Sequence, residues 1–152
     1  MYHHFGGKAE LALAAIRRTA AELRETAEAQ LGGPGGAVAR VTAYLRRERD
    51  VLRGCPVGRL TQDPDVMADP ALRAPVEETF GWLCTRLTEV LTEGRNNGEL
   101  AATLDPADTA AAVVAVLQGG YVLARAAGST EPFARAVDGL LNLLAAHTTG
   151  AR

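Results

Sequence analysis

The chain has 152 residues, 47% of them hydrophobic and 22% charged, with a formal net charge of −2, which is enough to bury one core as a single domain. Two cysteines, Cys55 and Cys84, without a second pair read as reduced thiols rather than a disulfide framework. There is no charged-then-apolar leader, and no apolar run approaches the ~18 to 20 residues of a bilayer span, so the expectation is a cytoplasmic protein with no membrane partner.

Ala, Leu, Arg and Glu dominate and aromatic residues make up 5%. Straight-chain side chains lose little rotamer freedom in a helix, so the expected fold class is all-α. Charge is uneven: residues 1–53 carry nine Lys/Arg and six Asp/Glu, while residues 54–152 carry seven and twelve. The basic end is the N-terminal one, although the excess is too small to establish nucleic-acid binding by itself.

In chain order, Leu13, Ile16, Ala20, Leu23, Ala27 and Leu31 recur at three- and four-residue steps, predicting an amphipathic helix over 8–31. Gly7 stands at its cap position, and Gly32-Gly33-Pro34-Gly35-Gly36 stops it. A second helix is predicted to about Arg53, burying Val38, Val41, Leu45 and Leu52 and placing Arg46, Arg47, Glu48 and Arg49 on a solvated face. Gly54-Cys55-Pro56-Val57-Gly58 breaks it, and a short helical or irregular stretch follows around Leu60. Asp69-Pro70 and Asp105-Pro106 pair a capping carboxylate with a proline that needs no N–H at the first helical position, predicting long helices to about Asn97 and Ala127. Gly128 closes the latter, and Ser129 or Thr130 caps a last helix with the stripe Phe133, Val137, Leu140, Leu141 and Leu144. The expectation is a helical bundle of five long helices plus a short one.

Catalytic chemistry finds little support. Cys55 as a nucleophile would need activation from His3, His4 or His147, which lie in the opening segment and near the C-terminus. Adjacent His3 and His4 diverge by ~100° on a helix, and Cys55 and Cys84 lack ligand spacing. No enzyme activity, metal or cofactor is expected.

The opening string Tyr2-His3-His4-Phe5-Gly6-Gly7-Lys8, with Leu11, resembles the join between the DNA-recognition helix and the first effector-domain helix of TetR-family transcriptional regulators. Gly54-Cys55-Pro56-Val57-Gly58, Gly98-Glu99-Leu100 before Asp105-Pro106, and Leu117-Gln118-Gly119-Gly120 before Ala124-Arg125 look like the C-terminal domain of its LmrA-like subgroup, in the same order. The resemblance implies that residues 1–7 are a remnant of the recognition helix and its turn, and that 8–148 form an effector-binding and dimerisation domain. It implies phosphate contacts from Tyr2, His3 and Lys8; a purely structural role for the same segment, with Tyr2 and Phe5 as a hydrophobic staple, is the other reading. Most of the helix-turn-helix would then lie outside this sequence, either because an internal Met was taken as the start or because the gene is short.

The family resemblance also implies an effector pocket inside the bundle. The candidates are Tyr44, Leu60, Met67, Phe80, Trp82, Cys84, Leu87, Gln118 and Tyr121, which mix aromatic or adaptable surface with a few polar handles; ordinary core is the other reading for most of them, Phe80 and Leu87 first, and Trp82 is a pocket wall, a dimer contact or a partly exposed aromatic. A small, mostly apolar effector is expected, since no buried charge cluster is visible. Dimerisation would go through the last two helices, with Gly119, Gly120, Tyr121, Leu123, Phe133, Val137, Leu140, Leu141 and Leu144 shared between that interface and the core. The implied function is a repressor that releases its DNA operator when a small ligand binds, operator binding being confined to a full-length form. The rival is a stand-alone helical small-molecule-binding or scaffold protein with no DNA role.

Overall fold

The computed structural model describes residues 7–150. Six α-helices follow one another: α1 Lys8–Leu31, α2 Ala37–Arg46, α3 Pro64–Ala68, α4 Pro70–Asn96, α5 Pro106–Ala127 and α6 Glu131–Ala145, with 3-10 turns at Val51–Arg53 and Gly58–Gln62. Among the described residues the sole pairing of extended backbone is an isolated bridge between Leu100 and Thr148. The all-α bundle of five longer helices and a short one is what the apolar spacing predicts.

The capping expectations hold at atomic level. Asp69 accepts from the Ala71 N–H at 2.9 Å and Asp105 from the Asp108 N–H at 2.9 Å. The same Asp-Pro device also starts α3, where Asp63 accepts from the Asp65 and Val66 N–H groups; that third copy is as legible in the sequence as the other two. Gly128 takes the left-handed conformation, φ 64, that closes α5. Ser129 Oγ accepts from the Glu131 N–H at the start of α6.

Packing follows from the apolar stripes. α4 is the central helix, laid against α1, α2 and α5, and α6 packs on α5. Leu31, Val41, Leu45, Leu87, Val90, Leu91, Leu100 and Val113 form the fully buried centre. Gly94 permits the close crossing of α4 and α2: a Cβ there would stand 2.5 Å from the Ala37 Cβ.

Two expectations are overturned. α2 ends at Arg46, since Arg47 turns extended with ψ 150, and the segment as far as Arg53 is not a continuation of the helix. No breaker residue explains the stop. Instead Arg49 folds back and donates to the Tyr44 carbonyl at 2.5 Å and to the Tyr121 hydroxyl at 3.3 Å, so Leu52 is exposed rather than buried and Arg47 and Arg49 are half-buried rather than solvated. The second concerns α5, which is long and apolar enough by length and composition to cross a bilayer, with a mean hydropathy of 1.5 over 18 residues. Its many alanines carry that hydropathy without forming an unbroken stretch of large side chains. In the fold it lies between α4 and α6, with a third face of small residues turned outward.

Candidate functional site

The loop Gly54–Arg59 divides two cavities. One, of about 470 Å³, is bounded by Thr19, Glu22, Leu23 and Thr26 of α1, by Arg47, Arg49, Asp50 and Arg53, and by Cys55, Pro56, Arg59 and Tyr121. The other, of about 500 Å³, has Phe80 of α4, Val114, Gln118, Tyr121 and Arg125 of α5, and Gly58, Thr61 and Gln62 around it. They share Gly54, Cys55, Arg59 and Tyr121. Both volumes lie in the usual range for small-molecule sites.

The loop holds this position through its own geometry. Gly54 adopts φ 84, where a side chain would be strained, and the buried Cys55 Sγ accepts from the Gly58 N–H at 3.3 Å. Val57 is buried beneath. Gly58 lies so close to Gln118 that an added Cβ would meet the amide oxygen at 2.1 Å, so the glycine lets the α5 amide reach the cavity wall.

Beside the first cavity three aromatic rings surround one guanidinium. Arg49 lies 5.6 Å from the Tyr44 ring centroid and 5.4 Å from that of Phe133, and the Tyr121 and Phe133 rings approach to 4.8 Å at 47°. Ring quadrupoles and two acceptors thus do for Arg49 what a carboxylate does elsewhere. Burial pushes the Tyr44 hydroxyl up to about 12, against the lowering effect of Arg49 and Arg47. Arg47 stands 5.7 Å from the Tyr44 ring; burial, and then the Arg49 charge, hold its pKa below the ordinary guanidinium value. The Nε atoms of both arginines are buried without an acceptor.

Of the residues expected to line a pocket, Phe80, Gln118 and Tyr121 meet in one cavity, and Tyr44 forms the floor beneath the Arg47 and Arg49 guanidiniums. Leu60 and Met67 are half-buried and packed on the core. Leu87 is fully buried, which makes it core. Cys84 faces a separate groove along α4 with Thr88 and Asn96, and burial pushes its thiol pKa up. Trp82 is half-buried under the Arg24 guanidinium, 5.6 Å away, and joins α4 to α1.

The residues expected at a dimer interface divide in two. Gly119 and Leu123 are exposed on α5 and Leu141 is half-buried, whereas Tyr121, Phe133, Val137, Leu140 and Leu144 are buried inside the subunit. Gly120 sits under Phe133, whose Cδ2 would be 3.0 Å from an added Cβ. The outward face is carried instead by Ala112, Ala115, Gly119 and Val122 of α5 with Gly139 and Leu143 of α6, Val122 and Leu143 being 66% and 70% exposed. Lys8 is exposed at the start of α1; Tyr2 and His3 lie outside the described residues.

The arginines were missed because a helix continued to Arg53 would spread them over a solvated face. The density of Arg46, Arg47, Arg49, Arg53 and Arg59 within fourteen residues was the available signal. Among the described residues no group of three or more His, Cys, Asp or Glu is placed to hold a metal ion.

The profile of the family described as "Tetracyclin repressor-like, C-terminal domain" matches residues 36–140. No curated protein matches the chain. Among solved structures, a TetR transcriptional regulator from Chloroflexus aurantiacus superposes with a TM-score of 0.84 at 26% identity, over 97% of this chain and 77% of that one. The regulatory protein TetR from Rhodobacter sphaeroides gives 0.78 at 26% identity, over 93% and 78%. A TetR-family regulator from Cytophaga hutchinsonii, at 19% identity, shares the fold with a TM-score of 0.85 over 95% and 75%. With a family profile covering more than half its length, this chain belongs to the TetR family of transcriptional regulators and carries their C-terminal domain.

Proposed function

We propose that the chain is the effector-binding and dimerisation part of a transcriptional repressor, and that the cavities flanking Gly54–Arg59 receive the effector. The observation that carries this is their shared wall: one loop contacts both the α1 side and the α4–α5 side. A ligand lodged there can change the tilt of α1 relative to α4 and α5. In this reading α1 leads at its Lys8 end to the DNA reader, so its tilt sets the spacing of two readers in a dimer. The ligand must favour the arrangement that does not fit the operator, because only a difference in affinity shifts such an equilibrium.

Two subunits would pair through the outward faces of α5 and α6. Exposed Val122, Leu123 and Leu143 stand among small residues that let helices approach closely, and paired subunits would cover an apolar surface unusual for a monomer. Location in the cytoplasm, where operator and effector meet, follows from the same reading. No step in it calls for catalysis.

The test is the oligomeric state of the chain by sedimentation. A dimer that dissociates on Leu143→Glu with helicity retained supports the reading. A wild-type monomer at micromolar concentration removes its dimer half. For the DNA half, the product of the native gene should be longer by about one three-helix reader and should retard DNA from its own upstream region.

A further inference from the structure

We propose that the cavity between α1 and the Arg47–Arg59 segment binds an organic anion, a carboxylate carried on a compact apolar body. The proposal rests on the effector-domain reading and adds to it the chemical class of the effector, which departs from the mostly apolar ligand expected from sequence.

Arg47, Arg49, Arg53 and Arg59 all line this one cavity of about 470 Å³. Two carboxylates share the lining against four arginines: Glu22 pairs with Arg18 at 3.3 Å, and Asp50 accepts from the Arg53 backbone N–H at 3.4 Å, so neither is paired with a guanidinium of the cavity. Among the described residues none of the four guanidiniums forms an ion pair, although Arg18, Arg40, Arg46 and Arg86 each do. Four guanidiniums without an ion pair thus line one cavity.

Arg49 has acceptors for its two terminal nitrogens, although its Nε is buried without one; among the described residues Arg47 has no acceptor on any of its nitrogens. Its contact with Tyr44 leaves the buried Nε without an acceptor and places a second guanidinium beside the first. Desolvating a charged donor without a partner is strongly unfavourable, and adding a like charge makes it more so. A carboxylate entering the cavity supplies the missing countercharge and meets the accessible terminal nitrogens with the short charge-assisted bonds that guanidinium forks form best. Leu23, Cys55, Pro56 and Tyr121 offer the remaining wall to an apolar body. Bound there, the anion would tie the arginine segment to α1.

Isothermal titration of the intact chain with 1-naphthoate, 1-naphthylmethanol, 1-naphthylmethylamine and inorganic phosphate tests this. The carboxylate should bind at least tenfold more tightly than the alcohol, with the amine and phosphate weaker still. Arg47→Gln should weaken naphthoate at least tenfold while its thermal midpoint without ligand stays equal to wild type or rises, which separates lost binding from lost folding. Equal affinity for carboxylate and alcohol, an undiminished Arg47→Gln response, or no heat from naphthoate overturns the anion assignment. With the dimer intact, each of those results leaves the effector-domain reading standing. Phosphate binding as tightly as naphthoate overturns the apolar half of the proposal.

Discussion

Two regions handle arginine and carboxylate in opposite ways. At the pole where α2 begins, every charge has a partner. Gly36 offers no capping side chain, and Glu99, reaching from the loop after α4, accepts from the Ala37 and Val38 N–H groups at 2.8 and 3.0 Å. The buried Arg40 donates to the Leu31 carbonyl at 2.5 Å and to Glu93 at 3.2 Å. The tail seals this pole: the Thr149 N–H donates to the Glu99 carbonyl at 3.0 Å, the Ala101 N–H to that of His147 at 2.7 Å, and the Thr149 hydroxyl to that of Gly98. At the other end of α2, from Arg47 to Arg59, the backbone runs through 3-10 turns and the guanidiniums lack carboxylates. The first pole is built for rigidity. The second keeps unsatisfied groups around open volume, as expected where a ligand completes the structure.

The largest effect should come from crowding the rigid pole. Gly94→Ala sets a methyl against the Ala37 methyl, which cannot swing away, and should lower stability by about 2 kcal/mol in urea denaturation. Gly81→Ala, exposed on the same helix with open space around it, is the matched control and should leave the subunit as stable or more so. Next, Glu99→Gln removes the borrowed anionic cap of α2 and should cost about 1 kcal/mol, read from the same curves. A loss as large from Ala at exposed Glu25 would show that the cap has no special weight. Arg47→Gln should move in the other direction, raising stability by up to about 1 kcal/mol, because it removes a desolvated charge that repels Arg49. A clear loss instead would show that Arg47 is held by the folded subunit and that the two regions are alike.

The smallest effect joins α1 to α4. Arg86 donates to both Glu28 carboxylate oxygens, at 2.7 and 2.9 Å, and these hydrogen bonds hold the Glu28 carboxyl below the usual carboxylate range. A carboxyl with a lowered folded pKa contributes stability above its unfolded value and loses it as the pH falls through the folded one. Glu28 is half-exposed, so solvent screening limits the contribution to under about 1 kcal/mol. Glu28→Gln should therefore be slightly less stable near neutrality, and its difference from wild type should close as the pH falls below about 4.5.

Helix positions were legible from local chemistry. Asp69-Pro70, Asp105-Pro106 and Gly128 act within one turn of their own helix, so no distant residue is needed to read them, and the stripes of α1 and α4 show their buried faces by spacing alone. The family resemblance was also legible, through short strings such as Gly98-Glu99-Leu100, whose structural reason emerges only in the fold: Glu99 caps α2 and Leu100 is core. Less of the site could be read. Phe80, Gln118 and Tyr121 were named and do meet, but nothing in their spacing distinguishes them from Leu87, which lies about two turns from Phe80 on nearly the same face of α4 and is fully buried.

Residue types and their periodicity determined an all-α chain, its breaks, and which faces turn inward, because capping and amphipathicity are properties of ten or twenty neighbouring residues. Tertiary structure alone decided where α2 stops, which carboxylate caps it, which of the apolar residues on α5 and α6 remain outside, and that four arginines share one cavity. Those outcomes depend on groups dozens of positions apart, such as Glu99 against Ala37 and Arg49 against Tyr121, and their energies exist only once the helices have packed.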